Sequence, residues 1–191
     1  MKLVPFAYGF RPFFLVAGLF AALSITAWLW VYGAGAFPDA RMPPQFWHAH
    51  EMLFGFIAAA VAGFLLTAVP SWTGSRGFSG LPLIVLTALW LAGRIAFSLG
   101  DALPFGLLAA LELAFLPGVM LMIAPTLFRS SNRNTRLLLV LFAFGAMDAA
   151  FLYGIATGDI AVSAAALRGA LGLVLVLITV IGGRIVPAFT R

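Results

Sequence analysis

Residues 50–69 read HEMLFGFIAAAVAGFLLTAV, an apolar run of 20 residues with a single formal charge, on Glu51. A helix needs about 20 such residues to cross the hydrocarbon core of a bilayer. The chain has six runs of this kind, at residues 13–31, 50–69, 83–99, 105–128, 137–155 and 160–186. The sequence therefore predicts an all-α membrane protein, a polytopic bundle of six transmembrane helices that forms a single domain over residues 1–191.

The composition agrees with a membrane protein. Hydrophobic residues make up 63% of the chain and charged residues 9%, whereas a soluble domain has about 25% charged residues. The absence of cysteine excludes disulfides and thiolate metal sites. The net charge of +5 is spread over the short connections and forms no basic face of the kind that binds nucleic acid. We therefore expect the lipid bilayer, and no nucleic acid, as a partner.

The basic residues are unevenly divided between the two ends of the predicted helices. With a cytoplasmic N-terminus, eight lie on the inner side: Lys2, Arg11, Arg76, Arg129, Arg133, Arg136, Arg184 and Arg191. Three lie on the outer side: Arg41, Arg94 and Arg168. Cytoplasmic loops carry an excess of Lys and Arg, so this division predicts that both termini are cytoplasmic.

The only two histidines of the chain, His48 and His50, stand just where the second apolar run begins. At about 100° per residue, His48 shares a stripe with Met52 and with small residues, and His50 lies on the opposite side. Because small residues let helices approach closely, we expect the stripe to face the bundle and favour His48 as the stronger ligand. The small residues of the stripe are Gly55, Ala59 and Gly63.

Imidazoles at a membrane edge suit a metal or haem iron. Either histidine could supply one axial ligand to a haem. Alternatively, an irregular start after Pro43 and Pro44 lets both converge on copper or zinc, with Met52, or Met120 and Met122, as soft ligands. A third interpretation is interfacial, with Glu51 capping the helix.

Four ionisable residues interrupt the later apolar runs: Arg94, Glu112, Asp148 and Arg184. Charges inside a membrane are costly and usually functional. Asp148 is too deep to reach water, so we predict a charge network of Arg94, Glu112 and Asp148, with Arg94 as the partner of Asp148. Snorkelling to the interface is the alternative for both arginines, and a further role for Arg94 is to neutralise haem propionates.

Two prolines, Pro117 and Pro125, lie within the fourth run and should kink its helix, which can open a cavity. No P-loop, nucleophile elbow, zincin motif or dinucleotide fingerprint occurs, so the sequence identifies no catalytic machinery. Besides a metal-binding protein, two other classes stay open. One is a small-solute or proton-coupled transporter that uses Arg94 and Asp148, and the other is a non-catalytic structural subunit.

Five clusters of residues, in order along the chain, resemble the NnrS family of bacterial inner-membrane proteins. They are FRPFF at 10–14, WHAHEM at 47–52 with FGF at 54–56, GFLLTAVP at 63–70 with WTG at 72–74, LWLAGR at 89–94, and GGRIVP at 182–187 with FT at 189–190. The resemblance implies a multi-pass protein that contains haem and copper and takes part in denitrification and nitric oxide stress response, with the histidine motif as its metal centre.

Members of that family are longer, and this chain resembles an N-terminal half. We therefore expect a second axial ligand to come from a C-terminal half or from a second copy of the chain.

Overall fold

The computed structural model describes residues 4–35 and 41–189, with side chains as far as residue 183. Within these residues there is no strand, and six helices are long and apolar enough to cross a membrane. They are α1 (Phe10–Ala34), α2 (Pro44–Thr73), α3 (Leu81–Ala102), α4 (Phe105–Arg129), α5 (Arg133–Thr157) and α6 (Ile160–Phe189). This confirms the predicted multi-pass, all-α fold. The orientation of the termini stays a prediction.

Four of the six helices begin earlier than the apolar runs that predicted them, and α4 and α6 begin at the predicted residue. The largest difference is in α2, which starts at Pro44 instead of residue 50. Proline is favoured in the first helical turn, since its fixed φ suits a helix and its missing N–H would be unbonded there anyway. As a result, His48 and His50 lie inside the helix rather than in an irregular entrance.

Helix α2 occupies the centre of the bundle, in contact with α1, α3, α4 and α6. Burial is highest in its apolar window, at 56%, against 17% in that of α1, which lies at the periphery. In α2 the buried positions recur every four residues, in two adjacent columns. One column is His50, Phe54, Ala58, Ala62 and Leu66, and the other is Glu51, Gly55, Ala59 and Gly63.

A π-helical segment, Glu51–Ile57, joins the two α-helical parts of α2. A π-helix has wider turns than an α-helix, and such segments are frequent at functional sites. Within this segment the wider turn keeps residues four apart, such as His50, Phe54 and Ala58, close to one line, whereas an ordinary helix has 3.6 residues per turn. The indole Nε1 of Trp90 on α3 donates a hydrogen bond to the carbonyl oxygen of Gly55, at 3.0 Å, and so anchors the segment from outside.

Helix α4 is interrupted at Ala114, between Phe105–Leu113 and Phe115–Arg129. The cause lies in Pro117, which has no N–H to donate to the carbonyl of Leu113 and whose ring crowds that carbonyl. The kink predicted at this proline is therefore present, whereas the helix continues through Pro125 without interruption.

Candidate metal centre

Five ionisable side chains from four helices meet inside the bundle, and all are buried. They are His50 and Glu51 of α2, Arg94 of α3, Glu112 of α4 and Asp148 of α5. The guanidinium of Arg94 donates hydrogen bonds through Nη1 to Glu51 Oε1 and through Nη2 to Glu112 Oε1. We call these five residues the charged cluster.

His50 links the two halves of the charged cluster. A hydrogen bond of 2.9 Å joins its Nε2 to Asp148 Oδ1, and the same nitrogen lies 3.9 Å from Glu112 Oε1. On the other edge of the ring, Nδ1 is 3.5 Å from Glu51 Oε1. Both nitrogens of the imidazole therefore face carboxyl oxygens.

Aromatic rings hold the imidazole of His50 in place. Phe97 stacks on it with ring centres 4.0 Å apart and an interplanar angle of 16°. Phe151 and Phe54 pack against it at 4.7 Å and 5.0 Å between ring centres. None of the histidine surface is exposed. With its faces packed, the ring can present only its nitrogens to a ligand.

Two glycines allow the helices to come close enough for the ion pairs. A Cβ on Gly55 would overlap the ring of Phe20 and lie 3.0 Å from Arg94 Nη1. A Cβ on Gly93 would lie 3.0 Å from Glu112 Oε2. Any larger residue at Gly55 would displace Phe20 and crowd the guanidinium that pairs with the two glutamates.

The geometry of the charged cluster suits a cation. One ligand atom each from His50, Glu112 and Asp148 lies within 4.8 Å of the others. Three carboxylates against one guanidinium leave a formal charge of −2 when His50 is neutral. A buried surplus of negative charge is costly, so protons or a divalent cation would stabilise the cluster. Several buried polar atoms of the cluster have no hydrogen-bond partner in the described residues: His50 Nδ1, Glu51 Oε2, Arg94 Nε and Glu112 Oε2.

His48 lies apart from the charged cluster. It is half-buried and stacks on Trp28 of α1, with ring centres 4.7 Å apart and an interplanar angle of 16°. Its Nδ1 is buried without a hydrogen-bond partner in the described residues. Met52 is also half-buried. The two histidines thus face different ways, as the angular argument predicted, but His50 points into the bundle and His48 towards α1.

The charge network predicted from Arg94, Glu112 and Asp148 is brought together, with a different pairing. Arg94 binds the two glutamates, and His50 is the partner of Asp148. Glu51 belongs to the cluster although the sequence suggested a helix cap. Glu51 too is a carboxylate inside an apolar run, and the cost of a charge in hydrocarbon marks it as a candidate in the same way as Asp148. The side chain of Arg184 lies outside the described residues.

The fold and the site together define a multi-pass helical membrane protein with a buried, charged, metal-compatible cluster. A family model described as NnrS protein matches residues 4–191, which is nearly the whole chain. The chain belongs to the NnrS family, as its sequence motifs predicted. Comparison with curated proteins and with solved structures finds no match.

Proposed function

We propose that this chain is a metal-binding protein of the bacterial inner membrane that takes part in the nitric oxide response and in denitrification. Membership of the NnrS family supports the role. The observation that carries the metal-binding part is the buried set of His50, Glu112 and Asp148, whose ligand atoms lie within 4.8 Å of one another. These three residues would hold the ion.

The donor set fits a divalent ion, copper included. One imidazole nitrogen and two carboxylate oxygens suit Cu(II), Fe(II), Mn(II) or Zn(II) better than Cu(I), which prefers sulfur ligands. A bound copper or iron would supply an open coordination position and a redox couple.

The remaining residues of the charged cluster would position the ligands. A metal-bound histidine usually donates its other N–H to a carboxylate, which fixes the ring and raises its basicity. Glu51 Oε1, 3.5 Å from His50 Nδ1, stands in that position. Arg94 fixes Glu51 and Glu112 together, which leaves the oxygens of Glu112 aimed at the same space as His50 Nε2.

His50 does not fit haem in this arrangement. Its Nε2 is 2.9 Å from Asp148, and three phenylalanines pack around its ring, so no space exists there for a porphyrin. His48 fits an axial ligand better. It stacks on Trp28 and has no carboxyl partner in the described residues, so its Nδ1 is free to bind iron. Trp28 also lines a cavity of about 480 Å³ between α1 and the start of α2, with Tyr32 and Pro44, although His48 itself does not line it. Of the two histidines, His48 is therefore the better candidate for an axial ligand.

Metal analysis of purified protein tests the site. Protein expressed with added copper, iron, manganese and zinc should retain stoichiometric divalent metal, and His50→Ala and Asp148→Asn should lose it. His48→Ala is the matched control, since it removes an imidazole two residues away and should keep the metal. A parent protein free of divalent metal after expression in all four would overturn the proposal.

An optical spectrum of protein expressed with ample haem tests the haem assignment separately. A Soret band that survives in His50→Ala and disappears in His48→Ala is the expected result. The opposite pattern would show that His50 is the axial ligand and would contradict the geometric argument.

A proton-coupled transporter is the second candidate, favoured by the continuous contact of four ionisable groups, from Glu51 through Arg94 and Glu112 to His50. Such chains occur in proton relays. Proton uptake into vesicles that is lost in Asp148→Asn, from protein without metal, would support this candidate over the metal site.

The orientation can be tested with introduced cysteines, because the chain has none of its own. Gln45 and Ser131 are exposed and lie at opposite ends of the bundle. We expect Gln45→Cys, and not Ser131→Cys, to react with an impermeant reagent applied to spheroplasts. The reverse pattern would place both termini outside.

A further inference from the structure

The break in α4 opens a cavity of about 350 Å³ between α4 and α5. Pro117 and Leu113 line it from α4, on the two sides of the break, and Gly145 lines it from α5. Its lining residues are apolar with a single exception, Asp148. The proline that interrupts the helix therefore creates a hollow directly beside the charged cluster.

The mouth of this cavity lies halfway along the helices. Pro117 is the midpoint of α4 (Phe105–Arg129), and it is exposed. Phe142 and Ala149, on the α5 side, are also exposed, Phe142 by 65%. Because both helices are long and apolar enough to cross a bilayer, an opening halfway along them lies at the depth of the hydrocarbon core.

Asp148 belongs to the charged cluster and also lines the cavity. Its Oδ1 lies 2.9 Å from His50 Nε2. A molecule that enters at the mouth meets no other charged residue in the lining before it reaches Asp148.

We propose that the cavity admits a small uncharged molecule of a few heavy atoms from the hydrocarbon and brings it to Asp148. The same route then delivers that molecule to the metal at His50, a step that rests on the proposed function. A dry apolar cavity of about 150 Å³ is large enough for benzene or xenon, so this one holds a molecule of that size with room to spare. An ion would have to leave water to reach the mouth, and an anion would also meet the carboxylate of Asp148.

Gly145 offers a way to fill the cavity without disturbing the cluster. A Cβ at this position would meet Leu116 at 3.7 Å, an ordinary contact, so Gly145→Ala should be accommodated. Gly145→Leu adds three more carbon atoms at the cavity wall. Both substitutions favour the helix relative to glycine. Ala146→Leu, on the same wall, replaces Gly145→Leu if that variant does not fold.

Crystals of the intact protein pressurised with xenon test the cavity itself, with no need for a metal. Xenon should appear between Pro117 and Gly145 in the parent and in Gly145→Ala, and should be absent from Gly145→Leu. A parent cavity without xenon, or one filled by an ordered acyl or detergent chain, would overturn the proposal, as would xenon retained in Gly145→Leu.

Nitric oxide serves as the probe for delivery to the metal, in metal-loaded protein followed by stopped-flow absorbance. We expect its association rate to fall about tenfold in Gly145→Leu, with unchanged metal content, and to match the parent in Gly145→Ala. Equal rates in all three proteins would reject the delivery route. If xenon binds but the protein holds no metal under any condition, the proposed metal-binding function is wrong and the proposal that the cavity admits small molecules is still supported.

Discussion

The two histidines are separated by one residue, yet they occupy different chemical environments. His50 is fully buried, its nitrogens face carboxyl groups, and three phenylalanines surround its ring. His48 is half-buried and stacks on one tryptophan of the peripheral helix α1. Two histidines of one motif therefore have different surroundings, and the face of the helix on which each lies determines them. The π-helical segment Glu51–Ile57 sets that face, because its wide turns bring His50 into line with the buried column below it.

Replacing His50 and His48 by alanine, one at a time, should give the largest difference in stability between two variants. His50→Ala leaves the buried carboxyl group of Asp148 without its hydrogen-bond partner and replaces a packed ring with a cavity, and truncating a buried aromatic ring costs about 3–5 kcal/mol. His48→Ala removes an aromatic stack worth about 0.5–1.5 kcal/mol. Thermal unfolding of the detergent-solubilised proteins measures both. Equal losses of stability would mean that the two environments do not differ energetically.

Replacing Arg94, the one arginine of the charged cluster, should have a smaller effect on stability. Lysine in Arg94→Lys keeps the charge but lacks the fork that contacts Glu51 and Glu112 together. We expect a loss of about 1.5–3 kcal/mol, the value of one hydrogen bond to a charged group. Arg129→Lys, at the exposed end of α4, is the control and should leave the unfolding temperature unchanged. If Arg94→Lys were as stable as the parent, a single contact from the cation would suffice to hold the cluster.

The smallest expected change concerns the anchor of the π-helical segment. Trp90→Phe removes the hydrogen bond to the carbonyl of Gly55 and should cost about 1 kcal/mol. If that bond helps to hold His50 in line with the cluster, metal affinity should fall as well, measured by titration with a chelator. Trp30→Phe, at a 66% exposed position of α1, should change neither quantity. An unaltered affinity in Trp90→Phe would show that the wide turns persist without their anchor.

Much of the fold could be predicted from the sequence because the information is local. Each helix could be predicted from its own apolar run. The cost of a charge in hydrocarbon identified Arg94, Glu112 and Asp148 as candidates. Pro117 predicted a kink for an equally local reason, its missing N–H. These features depend on the chemistry of one segment, and they did not require knowledge of its neighbours.

The pairing inside the site depends on more than one segment and could not be predicted in the same way. The choice between His48 and His50 assumed ordinary helical turns, and the extrapolation at 100° per residue loses its phase across Glu51–Ile57. Arg94 was expected to bind Asp148 because both lie in the outer half of the membrane under the predicted topology. The helix arrangement instead places His50 beside Asp148 and leaves Arg94 to the glutamates.

The winding of α2 has a thermodynamic consequence. If residues 51–57 rewound into ordinary turns with the same sequence, the segment Pro44–His50 would rotate about its axis by an angle on the order of 100°. His50 would then leave the carboxyl groups that now face it. A cation held by His50 together with Glu112 and Asp148 binds the wide-turn state alone and must therefore stabilise it, since a ligand shifts an equilibrium towards the state that it binds better. With a cation bound at the proposed site, the winding of residues 51–57 and the occupancy of the site would be thermodynamically linked, so that a change in one would shift the other.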